Sequence, residues 1–153
     1  MRLYIEDILR EINVLNWYRG EAAKRVDANA DFVQSGSDQQ DALLSYIRSV
    51  VTDVLLLANA NRVKFTCEVT DDELLFGLSP LRAGREHLLD VLKEAIRQYI
   101  IYEVRWLWMM TVRPEWADAS LREEMKRNLR DAMNAVTAGG ERIRRRPTDL
   151  AGI

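Results

Sequence analysis

The chain is poor in the residues that most often do chemistry. It has one cysteine, Cys67, and one histidine, His87, in 153 residues. A single thiol makes no intramolecular disulfide. That removes the disulfide-stapled class and agrees with a reducing compartment, so a cytoplasmic setting is expected. One Cys and one His also fall short of the ligand sets that hold structural zinc. His87 has no nucleophile motif to serve, and its place opposite the apolar stripe of its helix predicts a solvated side chain. No G-x-x-x-x-G-K-[ST] or G-x-G-x-x-G is present, so there is no phosphate loop to read. The expectation is a protein that is not an enzyme and that uses neither metal nor cofactor.

Long apolar runs are missing too. The most apolar stretch, Tyr99–Val112, is interrupted by Glu103 and Arg105. It is too short and too charged to span a bilayer. The opening MRLYIEDILREI carries acidic residues where a secretion signal has its apolar core. Neither export nor a membrane partner is expected.

What is present is the profile of a folded protein, with 48% hydrophobic and 30% charged residues. The length fits one domain. The formal net charge is −2, which argues against a general polyanion binder. The charge is nevertheless uneven. Residues 1–80 carry 13 acidic and 8 basic side chains, whereas residues 81–153 carry 11 acidic and 14 basic. Such an imbalance either cancels inside one fold or steers copies head to tail.

Periodicity predicts a mainly α fold, a four-helix-type bundle with a short extended excursion between the second and third long helices. Ile5, Ile8, Ile12 and Leu15 repeat at helical spacing, predicting a helix over about 3–33 that breaks near Gly20. Ser37 and Gln40 form a capping box that opens a second helix. Its stripe is Leu43, Leu44, Ile47, Val51, Val54, Leu55 and Ala58, and Leu56 and Leu57 fall outside it. Val63, Phe65, Cys67 and Val69 alternate with polar residues, as in a strand. Residues 70–78 read two ways: a hairpin turn with a return strand, or a short helix opened by Thr70 and Glu73 and stopped at Gly77. The capping box favours the short helix.

Pro80 suits the first position of a third helix, which runs from about 83 to 112 and ends before Pro114. Leu88, Leu92, Ile96, Tyr99, Trp106 and Met110 form its stripe. Ser120 and Glu123 predict a capped fourth helix with Leu121, Met125, Leu129, Ala132, Met133 and Val136 on one side, stopped at Gly139-Gly140. Residues 1–140 then make a single helical domain and 141–153 a basic C-terminal tail.

Glu103 falls in the middle of the apolar stripe of helix three. A buried carboxylate must be paired or neutral. It serves either a pocket or subunit seam, or a structural ion pair with an arginine such as Arg19. Trp106, Trp108, Met109 and Trp116 cannot all face one core, so one side of helix three is a candidate interface. Leu150 and Ile153 near the C-terminus are further candidates for docking on a neighbour. Arg142, Arg144, Arg145 and Arg146 are candidate phosphate contacts, which would put the tail near DNA without sequence preference. Asp53, Asp90 and Glu94 are the carboxylates from which a small unrecognised active site would be built.

The stretches DALLSYIRSVVTDVLLLANANRVKFTCEV and LSPLRAGREHLLDVLKEAIRQYIIYEVRWLWMM resemble the small head–tail connector (adaptor or head-completion) proteins of tailed phages and prophages. The resemblance covers about residues 37–112. It lies in the succession of helix, extended excursion, Pro-containing turn and long Tyr-bearing helix. It implies a non-enzymatic assembly subunit, a ring of many copies, and partners among virion proteins or further copies of the chain. A cytoplasmic helical adaptor or regulator that binds a protein partner is the other class open.

Overall fold

The structure is a computed structural model and describes residues 1–24, 39–60, 64–79 and 86–137. Its elements are β1 (Arg2–Tyr4), α1 (Ile5–Lys24), α2 (Gln40–Ala60), β2 (Lys64–Val69), β3 (Glu73–Ser79), α3 (Glu86–Val112) and α4 (Ala119–Thr137). A 3-10 turn, Pro114–Trp116, joins the last two helices. The described residues are mainly helical, with four helices and one small antiparallel sheet. The expected cap at Ser37, strand position at Val63, helix start at Pro80, stop at Gly139-Gly140 and basic tail 141–153 lie outside the described residues.

α3 is the centre. Leu92, Ile96, Tyr99, Ile100, Ile101, Val104, Trp108 and Met109 are all buried on it. α1, α2 and α4 each pack against it. A helix apolar over most of its circumference has to be covered on several sides, and three amphipathic helices do this. α1 contributes Ile5, Ile8, Leu9 and Ile12; α2 contributes Leu43, Ile47, Val50, Val51, Val54 and Ala58; α4 contributes Leu129, Ala132, Met133 and Val136. Leu44, Leu55, Leu57, Leu121 and Met125 are half-buried at the margins. Leu56 is out in solvent at 63% exposure, so nothing described covers that side of α2.

The sheet has the order β1-β3-β2, with β3 antiparallel to both neighbours. The hairpin reading of residues 70–78 is therefore correct, and the short helix is not. The Thr70/Glu73 pair that suggested a helix cap closes a two-residue turn instead. The Thr70 N–H donates to the Glu73 carbonyl at 3.0 Å. The Glu73 N–H donates to Thr70 Oγ1 at 3.1 Å. Gly77 does not stop a helix. It sits opposite Thr66 in the ladder, where an added Cβ would meet Thr66 Oγ1 at 2.6 Å.

The chain start is also corrected. Arg2–Tyr4 forms a strand, so α1 begins at Ile5 and not near residue 3. The Met1 ammonium donates to the Phe76 carbonyl at 2.6 Å, and the Phe76 N–H returns a bond to the Met1 carbonyl at 2.8 Å. Leu3, Phe65, Leu74 and Phe76 form the buried face of the sheet, with the two phenylalanine rings 6.0 Å apart.

Two further expectations shift. Trp106 and Met110 are not core residues. Trp106 is half-buried and Met110 is 45% exposed, whereas Trp108 is 4% exposed. The stripe that carries Trp106 and Met110 is buried at Leu92, Ile96, Tyr99 and Glu103 and opens to solvent at these two, toward the end of α3. α4 is capped not by Ser120 but by Asp118, whose Oδ1 accepts from the Ser120 N–H at 3.0 Å and the Leu121 N–H at 3.1 Å. A carboxylate one residue ahead of the first turn is as good a cap as a serine, and it also suits the helix dipole.

The two tryptophans separate the two possible packings of α3. Trp108→Ala should cost about 3–5 kcal/mol in denaturant unfolding, as for a buried Trp truncated to Ala. Trp106→Ala should cost clearly less, because its ring already meets water. A larger loss for Trp106→Ala would contradict this packing.

Candidate functional site

The functional candidates gather where the C-terminal half of α1 crosses α3 and the start of α4. Glu103 is buried at 3% exposure on the core side of α3. Its partner is Arg122 of α4, not Arg19. Arg122 Nε donates to Glu103 Oε2 at 2.7 Å, and Arg122 Nη2 donates to Oε1 at 2.7 Å. This fork-to-fork geometry is the strongest arrangement open to an ion pair. The bidentate bond to Glu103 raises the Arg122 guanidinium above its ordinary value. The same guanidinium lies 4.1 Å from the centroid of the Trp106 ring. Trp106 therefore roofs the ion pair instead of filling the core. Burial pushes the neighbouring Tyr99 phenol up, and the negative Glu103 adds to the shift.

Beside this pair is a cavity of about 200 Å³. Tyr102, Arg105, Trp106 and Met109 of α3 line it, with Arg19 of α1, Trp116 and Ala117 of the connecting turn, and Asp118, Leu121 and Arg122 around the start of α4. Arg105 is held from α1: its Nε donates to Asn16 Oδ1 at 3.0 Å and its Nη2 reaches the Leu15 carbonyl at 3.5 Å. Asn16 is completely buried. Its position one turn beyond Ile12 puts a polar group on the apolar stripe of α1, as Glu103 does on α3. That was the available signal for it. Arg113 stands over the outer tryptophan, 5.6 Å from the Trp116 ring centroid.

A second feature is the outer face of α1. Val14, Trp17 and Tyr18 are 46%, 40% and 62% exposed. The i, i+3, i+4 spacing puts all three on one side of the helix. The Trp17 and Tyr18 rings meet edge to face at 5.1 Å.

The candidates named from sequence are thus divided. Trp108 and Met109 are consumed by the protein's own core and are not free to form an interface. Trp106 and Trp116 are half-buried together at the cavity. Leu150, Ile153, Arg142, Arg144, Arg145 and Arg146 lie outside the described residues. His87 is exposed, as expected. Asp53, Asp90 and Glu94 are also exposed, and Glu94 is bonded within its own helix to Arg97 and Gln98. Cys67 is half-buried, and burial pushes its thiol up to about 11, away from the reactive thiolate. Among the described residues, no group of three or more His, Cys, Asp or Glu side chains could hold a metal ion, and no helix is long and apolar enough to cross a membrane.

Asp118 carries a testable consequence. The Ser120 hydroxyl, foremost, and the Leu121 N–H hold its carboxyl below the usual carboxylate value. A lowered folded value stabilises the protein above the unfolded value, and this is lost as pH falls through the folded one. Asp118→Ala should cost about 1 kcal/mol at neutral pH, the typical value of a helix cap. The melting curves of the two proteins should converge in acid. A gap that persists at pH values where every carboxylate is protonated would refute the cap.

No protein-family model, no curated protein and no solved structure matches this chain.

Proposed function

We propose that the chain is a non-enzymatic assembly subunit that docks head to tail on further copies of itself. The ring-forming head–tail connectors of tailed phages, which its order of elements resembles, are the assembly it fits. The observation that carries this reading is the Val14–Trp17–Tyr18 face of α1. Tryptophan and tyrosine are the side chains most enriched in the anchoring centre of protein interfaces. Two of them stand together in solvent here, beside a valine on the same helical face.

A receiving surface is present elsewhere on the molecule. Between α3 and α4 runs an open groove of about 600 Å³, largely apolar, with Val91, Ala95, Tyr102 and Met125 along it and Asp90 and Glu94 on its rim. Val91 is 57% exposed there. An aromatic knob on one element and an apolar groove on two others are unlike surfaces. Unlike surfaces join heterologously, and heterologous contacts close into rings when the rotation allows. The uneven charge of the two halves of the chain would steer the same contact.

Two one-sided variants test this. Trp17→Ser/Tyr18→Ser removes the knob, and Val91→Glu blocks the groove. All three side chains are exposed, so thermal stability should change little. By light scattering, each variant should be monomeric at concentrations where the unaltered chain associates. Their equimolar mixture should form dimers and nothing larger, because each retains one working surface. Variants that assemble as well as the parent chain would overturn the proposal. An unaltered chain that stays monomeric at every concentration and enters no particle would leave the adaptor reading in its place.

A further inference from the structure

The cavity beside the Glu103–Arg122 pair has an unbalanced charge. Arg122 is neutralised by Glu103 through two bonds of 2.7 Å. Arg105 is not neutralised in this way. Its described acceptors are the amide oxygen of Asn16 and the carbonyl of Leu15, both uncharged. Among the described residues, no carboxylate comes within ion-pair distance of Arg105 or of Arg19. Asp118 also lines the cavity, but its Oδ1 already takes the Ser120 N–H, the Ser120 hydroxyl and the Leu121 N–H.

Asp118 acts on both arginines only from beyond ion-pair distance, and a half-buried guanidinium without a directly bonded counter-ion is costly. Burial, foremost, holds Arg105 below its ordinary value and the positive charge of Arg19 adds to this, while Tyr102 and the more distant negative Asp118 offset part of it. The chain nevertheless fixes Arg105 in place with a completely buried asparagine. Arginine remains charged under these conditions. Two positive forks at one mouth, one of them held in position beforehand, form the half of an ion pair that an external oxyanion completes. The walls add a second requirement. Trp116, Tyr102 and Met109 present rings and a thioether, so the cavity receives a flat apolar group as well as a charge. Its volume of about 200 Å³ limits that group to a single ring. Pockets for drug-sized ligands hold roughly 300–1,000 Å³.

We infer that this cavity is a binding site for a small oxyanion carried on one planar ring, of the aryl phosphate or aryl carboxylate class. Arg105 and Arg19 take the oxygens, and Trp116 and Tyr102 take the ring. The site shares Tyr102 with the groove, but neither the α1 knob nor Val91, Ala95 and Met125 contribute to it, so Val91→Glu and Trp17→Ser/Tyr18→Ser test the docking surfaces without touching its lining.

The probe is phenyl phosphate, titrated into the full chain and followed by calorimetry and tryptophan fluorescence. Inorganic phosphate and phenol serve as the half-ligands, and benzoate as the carboxylate counterpart. Saturable binding is expected, tighter for phenyl phosphate than for either half-ligand and weakening with salt. Arg105→Gln and Arg19→Gln should each weaken it by about tenfold or more, the scale of a charge-assisted bond. Arg130→Gln, on α4 but outside the cavity, should leave it unchanged. Arg19 is exposed, so Arg19→Gln remains a fair test if Arg105→Gln fails to fold. No saturable binding of phenyl phosphate or benzoate up to about 10 mM would overturn the inference, since affinities weaker than that are not specific recognition. Binding that is indifferent to Arg19→Gln, or equally weakened by Arg130→Gln, would overturn it as well.

Discussion

A single carboxylate governs how the last third of the molecule is arranged. Glu103 is buried on the helix that every other helix packs against. Taken into the interior alone, it would cost several kcal/mol. Arg122 offsets that cost only if α4 lies at one position and rotation along α3, with both guanidinium bonds formed at once. Apolar packing of Leu129, Ala132, Met133 and Val136 tolerates small slides and rotations, whereas a bidentate ion pair does not. The pair therefore selects among packings that hydrophobic burial leaves close in energy.

The rest of the site follows from that selection. With Arg122 drawn inward to Glu103, Trp106 lies over the guanidinium and stays half-buried. The turn Pro114–Trp116 then brings Trp116 over the same region, and Asp118 caps α4 at the rim. Arg105, two residues beyond Glu103, points toward α1 and is received by Asn16. The cavity is thus the space left between a helix pair fixed by one arginine and a helix pair fixed by another. The sheet stands apart from this region and closes the far end of the core, tied to the chain start through Met1 and Phe76.

The helices were legible in the sequence because each carries a stripe at a period near 3.6, and β2 was legible because it alternates. What misled was local chemistry that serves two ends. A threonine followed three residues later by a glutamate caps a helix or closes a two-residue hairpin, and here Thr70 does the latter. β1 has three residues, too few to show any period. Glu103 was legible as a buried carboxylate from its angle on the helix, yet nothing local marks which arginine reaches it. That choice depends on how two helices cross. The same angular reading would have found Asn16, and with it a reason to look for a buried donor. Trp106 and Trp108 could not be ranked, because both sides of α3 are apolar and only the neighbours decide which is covered more completely.

Glu103 and Arg122 act as one unit. A double-mutant cycle with Glu103→Leu, Arg122→Met and the combined variant measures it by denaturant unfolding. Arg122→Met, which leaves the buried carboxylate alone, should cost about 3 kcal/mol or more, and the combined variant should recover much of that loss. Single losses that simply add, to within about 0.5 kcal/mol, would show that the two side chains are independent and that the helices are placed by apolar packing alone.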